Sequence, residues 1–367
     1  MNDNTPLQLR VINSRKELVR ELANWTKLLD QVEDGDLFSH PLWHLSWWES
    51  FGSRCTMVLL VAQRGENWVG ILPLAMYRSI RHGFGSILEF SGSTQGDRHN
   101  LVCLPGHSIE VLDLFAEPVQ ALLKKVDLVH LTAIPIGSPL LSWHVLMDHA
   151  PQLLDQVAPF LEMRPGVAYE DLEASWKKSH RIDVRRQSKR LGKIGPLHLE
   201  VITDESEAKA VLNEFLANHT KRWFSRDLFI YIHNKRTEYF LERLIQRMLS
   251  NGKLHFSMLR AGEKTVSYHL GFFYNDRLYY YKPVFVQAFQ NLSPGKVHIA
   301  KLLEAGCTDQ WRIFDFLSGD EKYKYQWANN TESLHTIQIP IWRNIPARLA
   351  NKFLTSLRLR IRNARMG

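Results

Sequence analysis

Hydrophobic positions along residues 7–135 follow two alternating spacings, which predict strands and helices. Apolar residues at every second position in "LQLRVI" (7–12) predict a strand. Apolar residues three or four apart in 14–32 predict a helix that Ser14 caps and Glu17 supports. The predicted order is strand, helix, helix, strand, strand, strand, helix, strand, over residues 7–12, 14–32, 38–52, 55–79 (two strands), 85–92, 109–126 (broken at Pro118) and 127–135.

The second half of the chain repeats this order of elements. The predicted elements cover residues 197–203, 204–224, 236–252, 253–286 (three strands), 293–309 and 312–319, followed by a last strand at 334–342. The repeat is about 150–170 residues long and lies in the order of elements, not in sequence identity. The 367 residues therefore predict an α+β protein with two similar domains, each a mixed sheet flanked by helices. The expected ligand position is the cleft between the domains.

A basic segment, "WKKSHRIDVRRQSKRLGK" (176–193), separates the two halves. It predicts four parts of the chain: a first domain at 1–164, a basic linker helix at 165–195, a second domain at 196–345 and a basic tail at 346–367. In a helix, Arg181 and Arg185 share one face, where their guanidinium groups suit the phosphates of an acceptor. The alternative is a solvated basic face.

The stretch "NLSPGKVHIAKLLEAG" (291–306) predicts a helix with an exposed, anion-binding start. The first N–H groups of a helix lack internal partners and favour phosphate groups. Pro294 suits the first turn, Ser293 can cap it, Gly295 leaves the backbone open to a ligand, and Lys296 adds a cation. The alternative is an ordinary capped helix without a ligand.

The stretch "FDFLSGDEKYKYQW" (314–327) predicts a buried strand that ends in ionisable side chains. Asp315 lies between large apolar residues, where a carboxylate can act as a base near neutral pH or can instead anchor the next loop. Tyr323 can act as a proton donor, and Lys324 can hold a phosphate or be a surface charge. His269, on a predicted strand, is a candidate for substrate binding or a core residue.

Composition and charge narrow the classes of function. The net charge is +8 with a pI near 9.3, no apolar run is long enough for a membrane span, and no secretory signal is evident. Three widely spaced cysteines fit neither a disulfide framework nor a zinc site, and we expect no metal. Together these features predict a cytoplasmic protein. Nothing in the sequence has the pattern of a covalent nucleophile.

The element order and four stretches resemble the GNAT acyltransferases. The stretches are "FSHPLWHLSWWESFG", "SHRIDVRRQSKRL", "NLSPGKVHIAKLLEAG" and "FDFLSGDEKYKYQW". The resemblance is greatest to the CelD/BcsL-like branch, linked to cellulose and exopolysaccharide synthesis, which is similar to the Fem-type transferases with two such domains in tandem. The sequence departs from many GNAT enzymes in having only Ser293-Pro294-Gly295 where they have a longer glycine-containing loop.

The resemblance implies an acyl-CoA donor, with acetyl-CoA expected, and transfer to an amine on a sugar, sugar-nucleotide or lipid-linked glycan. The pyrophosphate would lie on residues 293–297, and the pantetheine would run beside the strand that contains Val284 and Phe285. The branch pattern favours catalytic roles for Tyr323 and Lys324. It also favours acceptor binding by Asp97 in the loop "STQGDRHNLVC" (93–103), for which an ordinary turn is the alternative.

Two other functions remain open from the sequence. One is a Fem-like aminoacyl-tRNA-dependent transferase, and the other is a non-catalytic scaffold of a glycan-synthesis complex. The acyl-CoA hypothesis predicts no nucleic-acid partner. It also predicts peripheral contact with an anionic membrane, on its inner face, through an amphipathic helix at 346–367.

Overall fold

The computed structural model describes residues 5–33, 35–79, 85–223 and 228–341. The chain divides into two compact units. Unit 1 comprises Met1–Gln156 with Ser333–Gly367, and unit 2 comprises Val157–Glu332. Strands and helices are numbered below along the whole chain. The predicted basic tail at 346–367 lies outside the described residues.

Unit 1 is a mixed sheet with the strand order β1-β2-β3-β4-β6-β13. Parallel pairing joins β4 to β6, and the other neighbours in this order are antiparallel. The elements are β1 (Gln8–Ile12), α1 (Arg15–Leu29), α2 (Pro41–Phe51), β2 (Cys55–Arg64), β3 (Asn67–Ser79), β4 (Gly85–Phe90), β5 (Val102–Cys103), α3 (Ser108–Leu123), β6 (Leu128–Pro135), α4 (His144–Met147) and β13 (Asn330–Pro340).

Unit 2 repeats this plan with the strand order β7-β12-β11-β10-β9-β8. Here β11 and β12 are parallel, and α9 connects them in the chain. The elements are β7 (Gln152–Glu162), α5 (Tyr169–Ser175), α6 (Lys178–Leu191), β8 (Leu197–Ile202), α7 (Glu205–Trp223), α8 (Leu228–Ser250), β9 (Leu254–Ala261), β10 (Lys264–Tyr274), β11 (Arg277–Phe285), α9 (Pro294–Thr308) and β12 (Ile313–Asp315).

The predicted break of α3 at Pro118 is wrong, because the helix continues through the proline. A proline inside a helix costs about 3 kcal/mol. The apolar residues on both sides of it, Val111, Phe115, Val119 and Leu122, are buried in one core cluster. Burying such side chains is worth roughly 1.5–3 kcal/mol each. The packing of the helix face therefore outweighs the local cost.

The units differ from the predicted domains in two places. The last strand was predicted in a second domain at 196–345, but β13 pairs with β6 of unit 1, with Leu334 opposite Pro135 and Pro340 opposite Leu128. The segment predicted as one basic linker helix at 165–195 contains two helices, α5 and α6, and both lie inside unit 2. The internal repeat predicts the elements of each half but contains no information on which distant strands pair.

Strand β7 was not predicted. Its first four residues are exposed, so the alternation of buried and exposed positions is weak, and it contains Pro159. It nevertheless pairs with β12, with Phe160 opposite Asp315 and Glu162 opposite Ile313. This pairing comes from tertiary contact between segments some 150 residues apart.

Candidate functional site

A separation of two parallel strands marks the candidate site of unit 2. The pairing of β11 with β12 ends at Tyr279 and Asp315. At the same point β11 has one extra residue relative to β10, because Leu270 lies opposite Lys282 but Phe272 lies opposite Tyr279. Such a bulge bends and twists the strand that carries it. Beyond the bulge β11 continues with β10, and the strands β11 and β12 part.

Helix α9 begins shortly after β11, and its start is open. A Cβ atom added at Gly295 would meet no atom within 4 Å. Pro294 is the first helical residue, and the first turn contains no acidic residue. The N–H groups of a first turn carry partial positive charge and bind anions. The start of α9 can therefore accept a phosphate group.

The predicted capping by Ser293 is not observed. Its backbone is left-handed, with φ 50° and ψ 51°, and its side chain makes no capping hydrogen bond. A capping serine normally has extended backbone geometry, which points its oxygen at the N–H groups of the first turn. With no capping side chain, these groups depend more on another partner.

The equivalent helix of unit 1 begins differently. The carboxylate of Glu110, in the first turn of α3, accepts two hydrogen bonds from Arg64 at 2.9 and 2.8 Å and also contacts His107. The bond with His107 and the charge of Arg64 hold the pKa of Glu110 below its usual value. The first turn of α3 thus contains its own carboxylate, whereas the first turn of α9 contains no acidic residue.

Helix α6 confirms the predicted helical form of the basic segment, but its arginines have other partners. Arg181 donates to the backbone oxygen of Ala174 at 3.1 Å. The Nε of Arg185 donates to both carboxylate oxygens of the buried Glu173, at 2.9 and 3.1 Å. Both contacts hold α5 against α6. A phosphate role for these two residues stays a prediction.

Asp315 is fully buried and has partners on both oxygens. Arg277 donates to one oxygen at 2.9 Å, and the backbone N–H of Leu317 donates to the other at 2.8 Å. Leu317 has a positive φ of 62°, so this bond fixes an unusual turn directly after β12. The contacts correspond to the anchoring role considered from the sequence, since a base must be reached by its substrate.

Lys324 is also buried, with 3% of its surface exposed. Its Nζ donates to the backbone oxygens of Leu317 and Ser318 at 3.0 and 2.8 Å and pairs with Glu321 at 2.9 Å. The lysine thus closes the turn that follows Asp315 and is not the surface charge considered from the sequence. Tyr323 lies beside it and is 39% exposed, so a ligand can reach its side chain.

His269 lies in the core of unit 2. It is fully buried, stacks on Tyr280 with 4.6 Å between ring centres, and has no hydrogen-bond partner among the described residues. Burial lowers its pKa well below the usual value. The core alternative therefore fits its position better than contact with an acceptor. Val284, on β11, is also buried, and Phe285 is half-buried.

Two buried histidines near His269 were missed from the sequence. His298 hydrogen-bonds the hydroxyls of Ser257 and Ser267, both at 3.1 Å, and His255 lies 5.9 Å from the ring centre of His269. The only signal for His298 is its place in the apolar stripe of α9. The described residues hold no group of three side chains arranged for a metal ion.

In unit 1, Asp97 is half-buried in the loop that follows β4. Glu89, which no sequence pattern marks, lies just before this loop and is buried. It accepts hydrogen bonds from Tyr77 at 2.7 Å and Ser93 at 2.9 Å and pairs with His130 at 3.0 Å. Although burial raises the pKa of Glu89, the partners, His130 above all, bring it below the usual value. The network fixes the loop to β3 and β6.

Comparison with known proteins identifies the fold. Residues 178–325 match the family described as acetyltransferase (GNAT) domain. FemX has a TM-score of 0.58 and 10% identity, over 89% of this chain and 96% of that chain. L-PGS from Bacillus licheniformis has a TM-score of 0.53 and 11% identity, over 91% and 96%. The fold is that of tandem GNAT proteins.

A third solved structure is similar over its whole length. It is the tandem GNAT protein from the clavulanic acid biosynthesis pathway, with a TM-score of 0.51 and 11% identity, over 90% of this chain and 98% of that chain. No curated protein matches the sequence significantly. The comparisons confirm the predicted GNAT fold and the likeness to a Fem protein, and the CelD/BcsL-like branch stays a prediction. Among the described residues, no helix is long and apolar enough to cross a membrane.

Proposed function

We propose that the protein is an N-acyltransferase whose acyl-CoA donor binds to unit 2. The observation that carries the proposal is the open start of α9 at Gly295, which has no acidic residue in its first turn and lies on the helix that connects β11 to β12. The match of residues 178–325 to the GNAT acetyltransferase domain family supports it. Acetyl-CoA is the expected donor.

The residues of unit 2 fit the parts of such a donor. The N–H groups of the first turn of α9 and the Lys296 ammonium suit a pyrophosphate. The bulged end of β11, up to Val284 and Phe285, offers an extended edge for the pantetheine. Bound acyl-CoA supplies an activated thioester carbonyl. Tyr323 is exposed on the turn after β12 and is the candidate proton donor for the departing thiolate.

The acceptor is proposed as an amine on a sugar, sugar-nucleotide or lipid-linked glycan in cell-surface polysaccharide synthesis. This part rests on the sequence resemblance to the CelD/BcsL-like branch. The same resemblance assigns acceptor binding to Asp97 in unit 1. An assay with acetyl-CoA and a panel of amino sugars and nucleotide amino sugars, read as free thiol released, tests it, with the same sugars lacking the amine as controls.

A Fem-like aminoacyl-tRNA-dependent transferase is the second candidate. The observation that favours it is the fold shared with FemX, together with the exposed cations Arg186, Lys189 and Arg190 on α6. Electrostatic binding of RNA weakens steeply with salt. This candidate would be favoured over the first if the protein bound tRNA with a dissociation constant that rises with salt and did not bind acetyl-CoA.

Thermal unfolding with acetyl-CoA, CoA and no ligand is the direct test of the first candidate. A ligand at 100 times its dissociation constant stabilises by about 2.7 kcal/mol. We expect this stabilisation in the unaltered protein and its loss in Gly295→Trp, whose indole would cover the helix start. Gly137→Trp is the matched control, because Gly137 is exposed and a side chain there would likewise meet no atom within 4 Å. Equal stabilisation in both variants would contradict the proposal.

A further inference from the structure

An ion pair joins helix α6 to the first turn of α9. The Nζ of Lys296 donates to Oδ2 of Asp183 at 2.6 Å. The other carboxylate oxygen, Oδ1, accepts from Arg186 and from Gln187, the latter at 3.3 Å. The bond from Lys296 holds the pKa of Asp183 below its usual value. The two oxygens of Asp183 thus have separate sets of donors.

Because its two oxygens have separate donors, Asp183 can give up Lys296 to a ligand without losing every partner. A phosphate at the start of α9 would take Lys296, while Arg186 and Gln187 would still compensate the carboxylate through Oδ1. The exposed fractions of the two side chains, 24% for Lys296 and 26% for Asp183, make the pair accessible from solvent. A ligand with several negative charges at one point is needed, since a single carboxylate would gain nothing over Asp183.

A second observation at the same place is the unsatisfied ring of His180. It lies one turn before Asp183 on α6, is only 7% exposed, and has no hydrogen-bond partner for either nitrogen among the described residues. Trp176 and Trp327 pack against it, with ring centres 5.7 and 4.4 Å away. Burial and the nearby charge of Lys296 lower its pKa to about 4, so at neutral pH the ring is uncharged.

An uncharged imidazole can donate one hydrogen bond and accept another. A buried polar group without a partner destabilises a protein, and such groups call for a specific explanation, such as a ligand or an ordered water. His180 and Asp183 are three residues apart on α6 and therefore share one face of the helix, the face that carries the bond from Asp183 to Lys296. The ring is therefore positioned to meet the uncharged part of a ligand whose phosphate is bound by Lys296.

We infer that the contact of α6 with α9 is a specificity subsite, in which a ligand phosphate replaces Asp183 on Lys296 and His180 hydrogen-bonds an adjoining amide or hydroxyl of the same ligand. The inference rests on the proposed donor site at α9. The ligand class is a diphosphate or phosphate joined to an uncharged polar arm, as in CoA or a nucleoside diphosphate. Asp183 then excludes weakly charged anions, and His180 selects for the arm.

Isothermal titration calorimetry with pyrophosphate, CoA and ADP tests the role of Asp183. An accessible ion pair of this kind is worth roughly 0.2–1 kcal/mol, so Asp183→Asn should bind all three probes up to about 5-fold more tightly. Asp171→Asn is the matched control, because Asp171 is an exposed acid on the neighbouring helix α5 and changes the net charge equally. Equal affinities in the two variants and the unaltered protein would overturn the exchange.

The role of His180 has its own test. His180→Phe keeps an aromatic ring between the two tryptophans and removes both nitrogens. Loss of a hydrogen bond worth about 1–1.5 kcal/mol should weaken CoA and ADP about 5- to 10-fold and leave pyrophosphate, which has no uncharged arm, unchanged. His180→Gln should recover part of the loss, which also separates a binding effect from misfolding. Unchanged CoA and ADP affinity in His180→Phe, or equal weakening of pyrophosphate, would overturn the assignment.

The three probes separate this inference from the proposed function. Binding of pyrophosphate and ADP but not CoA or acetyl-CoA, with both variants changing ADP affinity as expected, would keep the subsite and reject an acyl-CoA donor. Binding of acetyl-CoA that neither variant alters would keep the donor and reject the subsite.

Discussion

Glu110 and Lys296 are the third residues of equivalent helices, α3 in unit 1 and α9 in unit 2. The same position in the repeated fold thus carries an anion in one unit and a cation in the other. Glu110 supplies negative charge to the positive end of its own helix, and Lys296 adds to the positive charge of its helix. Only the second helix lacks a carboxylate in its own first turn, which favours a phosphate ligand there.

Lys296→Glu therefore transfers the charge of the unit 1 helix start to unit 2. We expect acetyl-CoA affinity to fall at least about 10-fold, because a carboxylate would compete with the pyrophosphate for the same N–H groups. Calorimetric titration measures this. Lys322→Glu, a charge reversal at an exposed residue, should bind as the unaltered protein does. A loss of the same size in both variants would mean that only the net charge matters.

The ion pair of Arg277 with Asp315 predicts an asymmetric effect on stability. Arg277→Met leaves a fully buried carboxylate without its cation and should cost about 3 kcal/mol or more. Asp315→Asn leaves an arginine that is 24% exposed and can be hydrated, so it should cost less, roughly 1–2 kcal/mol. Urea unfolding gives both values. Arg260→Met, which breaks a half-exposed pair with Glu200, should cost under about 1 kcal/mol.

Lys324→Met should loosen the turn that follows β12. The variant leaves the backbone oxygens of Leu317 and Ser318 without their donor, at a cost of about 2–3 kcal/mol. Hydrogen exchange should show faster exchange of the amides in residues 317–324, with the other strands of unit 2 unchanged. Lys322→Met, at an exposed position in the same turn, should change stability by less than about 0.5 kcal/mol. Unaltered exchange in Lys324→Met would show that the lysine does not hold the turn.

Buried histidines predict that the protein loses stability in mild acid. Burial lowers the pKa of His298 from 6.5 to about 3, so the folded form stays neutral while the unfolded form takes up a proton below pH 6.5. The stabilisation from His298 is complete above that pH and decreases as the pH falls towards 3. At pH 5 this one residue accounts for about 2 kcal/mol of the loss.

His298→Gln should lose about 2 kcal/mol less unfolding free energy between pH 7 and pH 5 than the unaltered protein does. The comparison uses the change with pH, because the substitution also alters the bonds to the two serines at every pH. His198→Gln is the matched control, because it removes an imidazole at an exposed position on β8. If His298→Gln and the unaltered protein lose stability in parallel, the buried imidazole is not the cause.

Local patterns sufficed to predict most helices and strands, including α1 with its Ser14 cap and the start of α9 at Pro294. These features depend on neighbouring residues. The pairing of β13 with β6 and the addition of β7 beside β12 depend on contacts between distant segments. No local signal specifies them.

The same limit explains the outcome for the candidate site. The open helix start depends on the adjacent residues Ser293, Pro294 and Gly295, and the sequence predicts it from them. The partner of Asp315 is Arg277, which lies 38 residues earlier on another strand, so the sequence around Asp315 does not reveal it. The sequence around Lys324 likewise fits both a surface charge and the buried donor that is observed. The ion pair between Asp183 and Lys296 joins residues 113 positions apart. Side-chain partners at such distances are set by the packing of whole elements.

The pairing of β13 with β6 also constrains synthesis on the ribosome. The sheet of unit 1 begins at Gln8 but is completed only when residues 334–340 have emerged, after every strand of unit 2 has been made. Unit 2, whose last strand residue is Asp315, can finish its sheet earlier. The N-terminal half of the chain is thus translated first and completed last, and during that interval the edge of β6 is exposed to pairing with other chains.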